Sequence, residues 1–211
     1  MSSVPGTILV VVAYLVGAVP WGVVLGRVFA GVDVREYGSK STGATNALRV
    51  LGKKFSIAVL VLDMSKGILP VVIGRALGLP TWAVGLAAVA AVVGHCWSPY
   101  IGFTGGKGVA TGGGAAISLF PWLLLLLPVV IAIVLVSRYV SLASLVAAVI
   151  GIIAAVTAGL TGYLSWWWVA GVVAIAFIII ERHRGNISRL MNHTENKFGG
   201  RVNPATKTSD P

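Results

Sequence analysis

The 211-residue chain has one cysteine and only six acidic residues, and long stretches of it carry no charge at all. Its single thiol, Cys96, excludes an internal disulfide, and no Cys/His cluster shows the spacing of a structural zinc site. Charged residues make up 10% of the composition against 57% hydrophobic, with a mean hydropathy of +0.93, which excludes an ordinary water-soluble domain. Apolar runs of this length must face lipid or one another inside a bilayer, so the chain reads as an all-α, polytopic integral membrane protein. The 16 Lys and Arg against six Asp and Glu give +10, the excess expected of cytoplasmic loops under the positive-inside rule, and they do not by themselves imply nucleic acid.

Apolar runs lie at 6–29, 55–79, 81–101, 115–137, 139–160 and 163–180. The first is too long for a signal-peptide core and lacks a persuasive cleavage site, so it reads as a retained helix. Six spans conflict with the charge distribution. Residues 30–54 carry Arg35, Lys40, Arg49, Lys53 and Lys54, and the segment after Ile180 carries Arg182, Arg184, Arg189, Lys197, Arg201 and Lys207; both belong in the cytoplasm. Dividing 108–137 at Pro121 into a short helix, 108–120, and a longer one, 121–137, restores parity. That gives about seven transmembrane helices, with the amino terminus outside and the carboxyl terminus cytoplasmic. The short helix would rise only ~20 Å at about 1.5 Å per residue, less than the ~30 Å hydrocarbon core. A single domain is expected over 1–202, with a flexible tail at 203–211.

In this topology the polar residues collect at one face in three islands: GSKSTGATNALR (38–49), GHCWSPYIGFTGGKGVATGGG (94–114) and ERHRGNISRLMNHTENKFGG (181–200). In the second, Gly105, Gly106 and Gly108 surround Lys107 and lead into a helix with Thr111 one turn in. Glycines let backbone N–H groups approach an anion, and a helix amino terminus and a lysine favour its charge, so the segment looks like a phosphate cradle. A nucleotide-binding GxxxxGK[ST] loop would need Gly at 101 and Ser or Thr at 108, where this chain has Ile101 and Gly108, and an ATPase is disfavoured. The alternative is that these glycines serve helix packing alone.

The first island interleaves Ser39, Ser41, Thr42, Thr45, Asn46 and Arg49 with glycines, either as a second anion site or as a plain loop opening a helix. Asp63 and Lys66 share a helical face inside an apolar run, where they are either a structural ion pair or part of the site. His95 is a core histidine or a site residue. In the third island Arg182, Arg184 and Arg189 are explained in part as orientation charges. His183 and Asn186 are not, and at i and i+3 they share a face that could hold a polar substrate. Trp166, Trp167 and Trp168 fit an aromatic belt at the opposite end of that helix.

Two or three anion-binding islands beside lipid suggest phospholipid synthesis. No Ser-His-Asp constellation is visible, and the HxxxxD pattern of acyl-CoA-dependent acyltransferases is absent, since Tyr100, Ser188 and Phe198 stand five residues after His95, His183 and His193. An acyl-enzyme at Cys96 would have only His95 to activate it.

The three islands resemble the motifs of the bacterial acyl-phosphate:glycerol-3-phosphate acyltransferases, the PlsY family: GSGNxGATNxxR, GHxxPxxxxFxGGKGVAT and ER(H)xxNIxRLxxGTExK, in the same order. The resemblance implies a seven-span enzyme without metal or cofactor. It also implies transfer of a fatty acyl group from acyl-phosphate to the sn-1 hydroxyl of glycerol 3-phosphate, giving lysophosphatidic acid and inorganic phosphate. The setting it implies is the bacterial cytoplasmic membrane, with the active site facing the cytoplasm, membrane lipid around it and a functional link to the soluble enzyme that makes acyl-phosphate. Carried over by position, Ser39, Arg49, Lys107, His183 and Asn186 would be catalytic. Gly38, Thr45, Asn46, Lys66, His95, Gly105, Gly106, Gly108, Thr111 and Arg189 would bind substrate. The chain departs from the pattern twice: Lys40-Ser41 replaces Gly-Asn, and His193 replaces a Gly. The competing class is a transporter or flippase for phosphate or a phospho-metabolite, which would carry an ionisable path across the membrane.

Overall fold

The computed structural model describes residues 3–199, so the expected tail at 203–211, with Arg201 and Lys207, lies outside the described residues. Ten α-helices follow in order: α1 (Val4–Gly17), α2 (Trp21–Ala30), α3 (Ala44–Leu51), α4 (Lys53–Ala76), α5 (Thr81–Cys96), α6 (Val109–Leu119), α7 (Leu127–Ser137), α8 (Val140–Leu160), α9 (Trp166–Arg182) and α10 (Arg184–Met191). No strand forms among the described residues; an isolated bridge pairs Ser98 with Thr104. By length and composition three helical segments can cross a membrane, Val4–Ala30, Lys53–Ala76 and Val140–Leu160. The pair α9 and α10, bent by 56°, makes a fourth if counted as one span. Thr81–Cys96, Val109–Leu119 and Pro121–Ser137 are apolar but shorter.

Helix α5 is the hub, packing against α1, α4, α6 and α9, while α8 joins from beyond α9. Small residues make the close contacts possible. A Cβ at Gly17 or Gly94 would meet the backbone of the facing helix, at Ala91 and Tyr14 respectively. Gly67 and Gly114 meet the α6 and α4 backbones in the same way. In lipid, where tails are as apolar as leucine, such backbone approach is what drives helix association. The complementary surface is apolar and outward: Leu135, Val136 and Leu160 are 75, 88 and 74% exposed, an arrangement that suits hydrocarbon rather than water.

The break expected at Pro121 is present, with α6 ending at Leu119 and Phe120 leaving helical geometry. Two expectations need correction. The run 81–101 is helical only to Cys96; beyond it, Ser98 N–H donates to Thr104 O (3.0 Å) and Phe103 N–H to Ser98 O (2.7 Å), closing a tight loop. The first run is not one helix. Pro20 has no N–H and crowds the preceding turn, so the helix stops at Gly17 and restarts at Trp21. The carbonyls at the break take side-chain donors from α4 and from the loop after α5: Ser98 Oγ donates to Ala18 O (2.6 Å) and Lys66 Nζ to Val19 O (2.8 Å). A backbone interruption at membrane depth is tolerated on that condition.

Candidate active site

The three polar islands meet around one cavity of about 190 Å³. Ser39, Ser41, Thr45, Asn46 and Arg49 line it from the loop before α3 and from α3 itself. Lys107, with Val109 and Ala110 at the start of α6, forms a second wall, and His183, Asn186 and Arg189 a third. Asp63 and His95 form the inner end, and Ser141 and Ser144 on α8 a further side.

Nine of the fifteen residues expected to be catalytic or to bind substrate therefore line the cavity: Ser39, Thr45, Asn46, Arg49, His95, Lys107, His183, Asn186 and Arg189. Six do not: Gly38, Lys66, Gly105, Gly106, Gly108 and Thr111. Lys66 turns away, its Nζ 2.9 Å from Asp63 Oδ1 and hydrogen-bonded to Val19 O. The contact with Asp63 is close enough for an ion pair but lacks the alignment of a hydrogen bond. Of the two readings left open for this pair, the structural one fits Lys66, whereas Asp63 reaches the cavity wall. Thr111 is fully buried, its hydroxyl without a partner and its carbonyl packed on Gly67.

The glycines build the walls rather than line them. Gly108 precedes α6 at φ +78°, the left-handed geometry that lets the chain turn into a helix whose first N–H groups face outward. Gly106 N–H donates to His95 O (3.1 Å), and a Cβ at Gly106 would strike the His95 imidazole. From the far side, Arg182 Nε donates to Gly106 O (3.1 Å) and Nη2 to Gly105 O (3.4 Å). The first island is organised by Asn46, whose Oδ1 accepts from Ser39 N–H (2.9 Å) while Nδ2 donates to Val34 O (2.8 Å) and Ser41 O (2.9 Å). That amide is committed to the loop's backbone. Gly38 sits against it, where a Cβ would meet Asn46 Oδ1.

Electrostatically the cavity is unbalanced. Burial, partly offset by Glu195 and reinforced by Arg189, Arg49 and Arg182, lowers the Lys107 ammonium to about 8. Glu195 is the local acid. Burial pushes its carboxyl up, but donation from Asn186 Nδ2 (2.6 Å), Ser141 Oγ (2.9 Å) and Arg189 Nε (2.8 Å) outweighs this and holds it below the usual range. His183 Nδ1 lies 2.7 Å from Ile179 O. A carbonyl only accepts, so Nδ1 carries the proton and the neutral ring offers Nε2 as an acceptor.

Glu195, Ser141, Ser144 and Arg182 were not singled out from the sequence as site residues. Ser141 and Ser144, three apart at the start of an otherwise apolar run, are a signal of a polar helix face; Glu195 and Arg182 give none that an orientation charge would not. The two departures from the motif pattern share a backbone property: Lys40 and His193 both sit at φ 55°, the left-handed region. The pattern's glycines fit that geometry without strain; this chain places a lysine and a histidine there.

The sequence profile of the glycerol-3-phosphate acyltransferase family matches residues 7–193. A glycerol-3-phosphate acyltransferase of Fusobacterium nucleatum is 44% identical, over 90% of this chain and 96% of its own length. Another, of Rubrobacter xylanophilus, is 42% identical over 92% and 96%. Among solved structures, PlsY (YgiH), an integral membrane glycerol 3-phosphate acyltransferase, crystallised in its glycerol 3-phosphate form, is similar with a TM-score of 0.84 at 38% identity, covering 92% of this chain and 96% of that one. Its lysophosphatidic acid form gives 0.82 at 37%, with the same coverage. The helical, lipid-facing architecture is thus that of a multi-pass integral membrane protein, and the chain belongs to the PlsY family of glycerol-3-phosphate acyltransferases.

Proposed function

We propose that this protein transfers a fatty acyl group from acyl-phosphate to the sn-1 hydroxyl of glycerol 3-phosphate, releasing lysophosphatidic acid and inorganic phosphate for phospholipid synthesis. The observation that carries the reading is the convergence of Arg49, Lys107 and Arg189 on one cavity beside the open amino terminus of α6. Two phosphate-bearing substrates need such a surplus of cations, and an alcohol acceptor needs acceptors such as His183 Nε2. An acyl-phosphate is already activated, so orientation and charge stabilisation suffice for catalysis.

In the proposed step the sn-1 oxygen attacks the acyl carbon, the C–O bond to phosphate breaks, and phosphate leaves carrying the hydroxyl's proton. Lys107 and the α6 amino terminus hold the donor phosphate; Arg49 and Arg189 hold that of glycerol 3-phosphate. His183 and Asn186 orient the hydroxyl, Ser39 and Thr45 complete the acceptor side, and His95 supports the glycine loop. The lipid-facing bundle supplies the acyl chain's surroundings, and the soluble enzyme that makes acyl-phosphate is its functional partner.

We also propose seven crossings of the bacterial cytoplasmic membrane, the amino terminus outside and the cavity at the cytoplasmic face, because the basic segments 30–54 and 181–199 flank the cavity end of the bundle. Single cysteines introduced at Lys40 and Leu160 and labelled from either side of sealed vesicles test this: Lys40 should label from the cytoplasm and Leu160 should not.

The reaction is tested with detergent-purified protein given acyl-phosphate with and without glycerol 3-phosphate, and acyl-CoA as a parallel donor. Lysophosphatidic acid and phosphate are expected only when acyl-phosphate and glycerol 3-phosphate are both present. Product formed from acyl-CoA, or phosphate released without lysophosphatidic acid, would overturn the donor assignment.

A further inference from the structure

Arg182 ends α9, where the sequence reads as a basic flank of a membrane span. A charge that only oriented the chain would keep its head in water. This one is turned inward onto a loop 76 residues earlier, Nε on Gly106 O at 3.1 Å and Nη2 on Gly105 O at 3.4 Å. Its guanidinium also lies over the Trp97 ring, 5.4 Å from the centroid. Trp97 is itself fixed, its N–H donating to Val93 O (2.8 Å) and its carbonyl accepting from Tyr14 Oη (3.1 Å).

A trans peptide holds its C=O and N–H antiparallel, so a donor that fixes one fixes the direction of the other. The 105–106 peptide is stretched between Arg182 and His95 O, which takes the Gly106 N–H. The 106–107 peptide has its carbonyl on Arg182, so the Lys107 N–H must point the opposite way, at the residue whose side chain lines the cavity. Glycines have no side chains to hold such planes, and the loop would otherwise sample several orientations. Arg182 is followed directly by His183, which lines the facing wall.

We propose that Arg182 is a positioning residue: it sets the peptide planes of 105–107 in register with His183, so that the loop receiving the donor phosphate is aligned with the wall that holds the acceptor. The inference rests on reading the cavity as the acyl-phosphate site. Lysine replaces the fork only in part, because its tetrahedral ammonium lacks the planar face that lies over the indole while edge N–H groups reach the two carbonyls.

The test uses the full-length protein with Arg182→Gln, Arg182→Lys and Trp97→Leu, measuring kcat and both KM values, thermal stability and hydrogen exchange across the loop. Arg182→Gln is expected to lower kcat/KM for acyl-phosphate about a hundredfold, the scale of a one-ångström misplacement, with the KM for glycerol 3-phosphate unchanged. Arg182→Lys recovers part of the loss and Trp97→Leu shows a smaller loss of the same kind. Equal effects on both substrates that track a fall in thermal stability, or full activity in Arg182→Lys, would overturn the proposal. If the wild type does not use acyl-phosphate, the function fails and Arg182 is judged by exchange alone. Faster exchange at 105–108 than at 38–46 in Arg182→Gln supports it, and equal exchange overturns it.

Discussion

Two groups of charged side chains lie inside the protein, and they differ in how they are closed. Midway along α4, Asp63 and Lys66 face each other at 2.9 Å, with His95 Nδ1 3.7 Å from the same carboxylate oxygen and Lys66 hydrogen-bonded to Val19 O. One acid answers one base, and both side chains are almost wholly buried, with Asp63 reaching the cavity wall. Around the same cavity, Arg49, Lys107 and Arg189 lie with Glu195, which pairs with Arg189 alone at 2.8 Å. Among the described residues Arg49 and Lys107 have no ion pair. The closed group serves cohesion; the open one carries a surplus of positive charge that suits an anion.

The largest expected effect comes from opening the closed group. Lys66→Met leaves Asp63 buried and unpaired, and should cost about 3–5 kcal/mol of stability, seen as a lowered melting temperature in detergent. Adding Asp63→Leu should return most of it; no recovery would show that the pair is not the cause. Reducing the surplus in the open group acts on turnover instead. Lys107→Met or Arg49→Met should lower kcat/KM by about 10²–10³-fold while the melting temperature holds. If His183→Ala costs more than either, proton removal belongs to the imidazole and not to the donor phosphate.

Lys107 also gives the comparison a pH signature. Its folded value, lowered to about 8, means that the cation is present below that pH and lost as the pH rises through it. Activity should therefore fall above about pH 8, and Lys107→Arg, which stays charged, should abolish that limb of the profile. The smallest effect is expected away from both groups. Lys40→Gly and His193→Gly relieve left-handed backbone at φ 55°, and each should raise stability by up to about 1 kcal/mol, glycine's chain entropy offsetting part of the gain.

What the sequence made legible was local. The islands and the Asp63–Lys66 pairing depend on spacings of a few residues, which helical geometry converts directly into proximity, and the break at Pro121 followed from the charge parity of the spans together with a proline at that point. What it hid was distant. Ser141 reaches Glu195 across 54 positions and Arg182 reaches Gly106 across 76, and no spacing in the sequence pairs either residue with its partner. Asn46 reads as a substrate donor because its amide suits an anion, yet folding directs it to four backbone groups of the segment before its own helix. The break at Pro20 was hidden in a different way: hydropathy is continuous across it, and only the donors from α4 and the loop after α5 make the interruption tolerable.

That break bears on how the protein is made. Until the segments that carry Lys66 and Ser98 have docked on the first span, Ala18 O and Val19 O lack the side-chain donors they have in the finished bundle. An early chain of this protein therefore carries a marker of incompleteness at its first membrane segment, erased only when α4 and α5 have docked. A chain truncated before Lys66 keeps both carbonyls without those donors.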